Sequence, residues 1–144
     1  MKVKIKLLNE KAKIPTKATE HSAGFDLYAC VDGYTHAYPG LTEKIPTGIA
    51  IKCPKGYFGA IFARSGLATK KGLRPANCVG VVDEDYTGEI FVPLFNDSCQ
   101  LHTIRNGDRI AQLVFLPVPK IEFEISEVLE QTQRGAGGFG STGK

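Results

Sequence analysis

The chain has 144 residues, of which 42% are apolar and 23% charged, and its formal net charge is +3. A chain of this length buries about 70% of its unfolded surface as one domain without disulfides or metal, and the composition excludes collagen, coiled coil and wholesale disorder. The positive excess is too small to predict a nucleic-acid footprint, yet it suits a small polyanionic ligand.

From the N-terminus, Val3, Ile5 and Leu7 alternate with lysines, which reads as a half-buried strand and not as a leader peptide. No stretch approaches membrane-spanning length, so the expectation is a cytoplasmic protein that touches neither membrane nor nucleic acid. Cys30, Cys53, Cys78 and Cys99 form no C-x-x-C pair; they are expected as free, buried thiols. Ile49 and Ile51 alternate with Ala50 and Lys52, and Ile121, Phe123 and Ile125 alternate with Lys120, Glu122 and Glu124; both read as half-buried strands. Pro39-Gly40, Pro54-Lys55-Gly56, Gly88 and Asn106-Gly107-Asp108 punctuate the chain as turns. Many short strands between such turns predict an all-β barrel or sandwich. Only Ser65 to Lys71 and Ser126 to Gln131 have room for a helical turn or two. Residues 1–131 form the expected domain, and the Gly-rich 132–144 a flexible arm whose order must come from a ligand or a neighbouring surface.

Four segments carry chemistry. Within the arm, Gly135, Gly137 and Gly140 match the dinucleotide fingerprint, and Gly138 to Lys144 begins a Walker A pattern. Both matches fail for want of the flanking strand and helix. What remains is glycine backbone that can approach an anion, Arg134, Ser141 and Thr142 as donors, and Phe139 as a stacking ring. By composition alone the arm reads as readily as an inert tail. Ala63 to Ala68 sets Arg64, Ser65 and Gly66 together after an apolar strand, as a phosphate clamp would, although Arg-Ser-Gly is also ordinary loop composition. Asn77 to Ile90 puts Asp83, Glu84, Asp85 and Tyr86 at the tip of a hairpin; this is either a solvated acidic turn or a partly buried Asp83 aimed at a water as general base. Gly107 to Leu113 enters a strand with Asp108, Ile110 and Gln112 on one face, leaving Gln112 either a satisfied core amide or a ligand contact. His21, His36 and His102 are scattered, which gives zinc chemistry no support.

Taken together and in order with Ser22-Ala23-Gly24-Phe25-Asp26-Leu27-Tyr28-Ala29, these segments resemble the five motifs of the homotrimeric all-β dUTP pyrophosphatases, the dUTPases. The resemblance runs from near residue 14 to the end. It implies a jelly-roll-like β-clip, a trimer with shared active sites, and Mg²⁺-assisted hydrolysis of dUTP to dUMP and pyrophosphate, which keeps uracil out of DNA and supplies dUMP for dTMP synthesis. It implies that Asp83 orients the attacking water and meets the 3′-hydroxyl, with Gln112 beside the water, and that Tyr86 lies under the deoxyribose. Asn77, Gly80 and the backbone to Val82 would read uracil. Arg64, Ser65, Gly66 and Gln112 would hold phosphates, and Arg134, Phe139, Gly140, Ser141 and Thr142 would close over the substrate. Asp26 resembles the first-motif acid that meets the metal through water. Ala63 and Val82 depart from the commonest residues of the motifs at positions outside the chemistry. Two other classes stay open at this point: a dCTP deaminase of related fold, against which the missing zinc-deaminase signature argues, and a nucleotide-gated binding module, which has no need of Asp83.

Overall fold

The computed structural model describes residues 1–138. Among the described residues ten strands and one helix follow one another: β1 (Lys4–Leu7), β2 (Phe25–Tyr28), β3 (Tyr34–Ala37), β4 (Thr42–Lys52), β5 (Tyr57–Phe62), α1 (Ser65–Lys71), β6 (Leu73–Pro75), β7 (Gly80–Val82), β8 (Glu89–Asn96), β9 (His102–Arg105) and β10 (Arg109–Pro117). The fold is all-β, as the turn spacing predicts. Two four-stranded antiparallel sheets, ordered β1-β4-β8-β6 and β2-β10-β5-β7, and a two-stranded sheet β3-β9 enclose one core. Among the described residues no helix is long and apolar enough to cross a membrane.

Alternation explains β8 directly. Ile90, Val92, Leu94 and Asn96 all point inward, while the residues between them are half-buried. β4 departs from it: Ile49, Ala50 and Ile51 are all buried. The register shifts between Pro46 and Ala50, where Gly48 sits at φ +68°. Ala50 is too small to stand clear of its cross-strand neighbours Lys6 and Glu89. β1, at the sheet edge, is exposed along its length instead of half-buried.

The strand expected over Ile121 to Ile125 is absent, and so is the helix over Ser126 to Gln131. Residues 118–138 hold no strand or helix, and the side chains of Phe123 and Ile125 are fully exposed. An alternating segment needs a partner edge, and none among the described residues pairs with it. Cys30 and Cys53 are buried and Cys78 and Cys99 exposed, all free, so burial holds for two of the four thiols. Burial pushes the Cys30 and Cys53 thiols up from their ordinary range.

Candidate active site

The first part of the site grows from the turn that follows β6. Pro75 ends the strand, its carbonyl accepts the Cys78 N–H at 3.1 Å, and the Asn77 carbonyl accepts the Val79 N–H at 2.6 Å. Cys78 takes a left-handed backbone, φ +61°, to make the reversal. The chain then enters β7, which pairs with β5 alone and forms the edge of its sheet. An edge strand keeps a row of backbone donors and acceptors unpaired, which suits a planar ligand carrying both. Beside it lies a hollow of 270 Å³ whose walls include Ile61, Asn77, Gly80, Val82 and Tyr86. A Cβ on Gly80 would lie 3.1 Å from Ile61 Cβ and 3.5 Å from Asn77 Nδ2, so the wall is closely packed at that point.

Tyr86 is held flat across Gly88. Its hydroxyl donates to the Glu89 carbonyl at 2.8 Å, and a Cβ on Gly88 would lie 2.7 Å from the Tyr86 hydroxyl oxygen and 2.8 Å from Cζ. Only glycine at 88 leaves the ring that position. Asp83 stands between Val82 and Tyr86 on the connection from β7 to β8; its side chain is exposed, as in the solvated reading of this turn and not the partly buried one. The Val82 carbonyl accepts from the buried Cys53 thiol at 3.4 Å. Val82 walls the hollow together with Asn77 and Gly80.

A second hollow of 400 Å³ lies against Ser22, Gly24, Asp26, Arg64, Ser65, Gly66, Lys71 and Gln112. Sheet pairing brings these residues together: Gln112 of β10 faces Asp26 of β2 on one side and Phe62, the end of β5, on the other. α1 then begins at Ser65, its first turn closed by the Arg64 carbonyl. The side chain of Gln112 is fixed by its Nε2, which donates to the Ala63 carbonyl at 2.9 Å. Its Oε1 lies over Gly24, where a Cβ would come within 2.6 Å.

Asp26 is nearly buried between two guanidinium groups. Arg64 Nε lies 2.8 Å from Oδ1, and Arg109 Nη1 lies 3.2 Å from Oδ2. Among the described residues Arg64 uses only Nε for this bond, so its two terminal nitrogens stay available as a fork for phosphate oxygens. Both Asp26 oxygens are already bound, and no group of three or more carboxylates, histidines or cysteines among the described residues could hold a metal ion. The donor set fits a polyanion and does not fit a metal held by the chain.

The two hollows share no lining residue. Of the expected residues, Asn77, Gly80, Val82 and Tyr86 line one hollow and Arg64, Ser65, Gly66 and Gln112 with Asp26 the other, while Asp83 lines neither. Arg134 lies in an exposed turn, its carbonyl accepting the Gly137 N–H at 3.0 Å, and lines neither hollow. Phe139, Gly140, Ser141 and Thr142 lie outside the described residues. Arg109, Lys71 and Ser22 were not foreseen as site residues. The period-two reading set Arg109 on the face opposite Gln112, but the register against β2 shifts between Arg109 and Ala111, which buries Ile110 and Ala111 in succession.

The dUTPase family model matches residues 10–143. The deoxyuridine 5'-triphosphate nucleotidohydrolase of Desulfitobacterium hafniense is 51% identical, over 99% of this chain and 97% of the relative. That of Syntrophotalea carbinolica is 44% identical, over 98% and 96%. The dUTPase of Staphylococcus bacteriophage 80alpha, solved with dUPNHPP, superposes with a TM-score of 0.86 at 27% identity and covers 99% of both chains. A dUTPase from phage phi11 of S. aureus, described with a structural Mg(II) ion, shares the fold at 24% identity, with a TM-score of 0.81 over 91% of this chain and all of its own.

Proposed function

The chain belongs to the dUTPase family, and we propose that it hydrolyses dUTP to dUMP and pyrophosphate, with the nucleoside in the Asn77–Tyr86 hollow and the phosphates in the Arg64–Gln112 hollow. The observation that carries this reading is the nucleoside hollow: an unpaired strand edge, the Asn77 amide and a tyrosine ring locked flat by Gly88. Uracil presents a carbonyl, N–H, carbonyl edge, which the β7 backbone and Asn77 complement. Cytosine offers an amino group in place of one carbonyl, and the mismatched polar contact is rejected more strongly than the methyl of thymine. A ring in the position of Tyr86 leaves no space for a 2′-hydroxyl.

In the reaction a water oxygen attacks the α-phosphorus in line. The bond to the bridging oxygen breaks, pyrophosphate leaves with that electron pair, and the water proton passes to the Asp83 carboxylate. Arg64, Ser65 and the backbone at Gly66 bind the phosphates and stabilise the charge that develops on their oxygens. Gln112 orients the water, and Asp26 orients Arg64. Mg²⁺ would be held by the phosphate oxygens of the substrate and by water, where it would neutralise phosphate charge, and Asp26 would meet it only through water. Arg134, Phe139, Gly140, Ser141 and Thr142 complete the site from the C-terminal arm. The two hollows have no residue in common, and apolar Ile121, Phe123 and Ile125 project into solvent. The exposed apolar side chains support association with further copies of the chain, which in this reading form a trimer whose neighbouring subunits complete each other's sites. Asp83→Asn should bind a non-hydrolysable dUTP analogue with unchanged affinity and lose at least about 100-fold in kcat; a variant that keeps its rate would sink the assignment of Asp83.

A further inference from the structure

The backbone beneath Asp83 is fastened at three successive residues. The Val82 carbonyl accepts from Cys53 Sγ at 3.4 Å, the Asp83 carbonyl from the Tyr86 N–H at 3.2 Å, and the Glu84 carbonyl from Lys52 Nζ at 2.6 Å. A fourth bond joins the same two segments: the Gly56 N–H donates to Glu84 Oε2 at 2.8 Å. Glu84 is thus held at both ends, its main chain by the last residue of β4 and its side chain by the turn between β4 and β5. Gly56 lies at the left-handed position of that turn, φ +76°. Of the residues in these bonds only Val82 and Tyr86 line a hollow; Cys53, Lys52, Gly56 and Glu84 line neither.

A solvated acidic turn needs no such bracing, and the exposed side chain of Asp83 has little packing of its own to hold it. A hydrogen bond that ties two segments together narrows the positions either can take, and a displacement of about 1 Å at a reacting group costs as much as 100-fold in rate. We propose that Glu84 is a positioning residue: its carboxylate on Gly56, with Lys52 on its carbonyl, fixes the direction in which Asp83 meets the attacking water. This rests on the reading of Asp83 given above. Glu84 itself touches no substrate in this account, and its negative charge is not what is needed. The acceptor oxygen is.

The test is steady-state hydrolysis of dUTP by the full chain carrying Glu84→Ala, Glu84→Gln, Lys52→Met, Asp83→Asn or the Glu84→Ala/Asp83→Asn pair. Glu84→Ala should lower kcat by about tenfold or more with KM within about twofold, since the loss falls on the transition state and not on nucleotide binding. Glu84→Gln keeps an acceptor for Gly56 and should stay within about threefold of the parent. On the Asp83→Asn background Glu84→Ala should cost nothing further, because the pair acts as a unit. Equal kcat for Glu84→Ala and the parent would overturn the proposal, as would equal loss in Glu84→Ala and Glu84→Gln, or a loss that adds in full on the Asp83→Asn background. Wild-type turnover by Asp83→Asn would instead overturn the underlying reading and the proposal with it. Should Glu84→Ala fail to fold, Lys52→Met decides from the other strand: a fall in kcat with KM kept supports the clamp, and an unchanged kcat overturns it.

Discussion

At Gly24 the absence of a side chain positions a functional group on another strand. Gln112 Oε1 occupies the space a Cβ would need, at 2.6 Å, while its Nε2 holds the Ala63 carbonyl. Gly24→Ala should therefore displace the amide and lower kcat/KM for dUTP by about tenfold with the fold intact, measured by pyrophosphate release beside a thermal melt. Gly88 does the same for Tyr86. In Gly88→Ala the ring must leave, and discrimination between dUTP and UTP should fall by about tenfold, read as the ratio of the two kcat/KM values. The thiols divide by burial. Cys78 and Cys99 should react with a thiol reagent in the native protein, and Cys30 and Cys53 only after unfolding. Because burial raises the two buried thiols in the folded chain, their contribution to stability is complete below about pH 8.5 and is lost as pH rises above it. The melting temperature should accordingly decline on the alkaline side.

Among the elements, β8 ends on a side chain that joins two sheets to a turn. Asn96 is fully buried; its Nδ2 donates to the Ala37 and Gln100 carbonyls at 2.8 and 2.7 Å, and its Oδ1 accepts from the Ser98 N–H at 3.0 Å. Asn96→Ala would strand two carbonyls and should cost about 3 kcal/mol by denaturant unfolding. This residue carried no signal in the sequence, since an asparagine between strand and turn reads as part of the turn. The glycine turns and α1 were legible because their chemistry is local: Gly40, Gly56 and Gly107 all take positive φ, and the helix spans Ser65–Lys71 as expected. Asp26 with Arg109 was not legible, for 83 positions separate them and only the register of β2 on β10 brings them together. Alternation over Ile121 to Ile125 was read as a strand because period two records a face to be covered, and says nothing about which chain covers it.

For the whole molecule, two hollows without a common lining residue turn the proposed trimer into a kinetic prediction. Asp83→Asn and Arg64→Ala subunits, each nearly inactive alone, should regain activity when unfolded together and refolded as mixed trimers, since some sites then draw both intact sets from different subunits. No recovery would place both sets of one site on one chain. Removing residues 134–144 should leave the ten-strand body folded, by thermal melt, and lower kcat/KM for dUTP by at least about tenfold. The most direct measurement is pyrophosphate release from dUTP, dCTP, dTTP and UTP, each as its magnesium complex at equal concentration. A kcat/KM for dUTP at least about 100-fold above each of the other three is the predicted result; equal rates on dUTP and dCTP, or on dUTP and UTP, would contradict it.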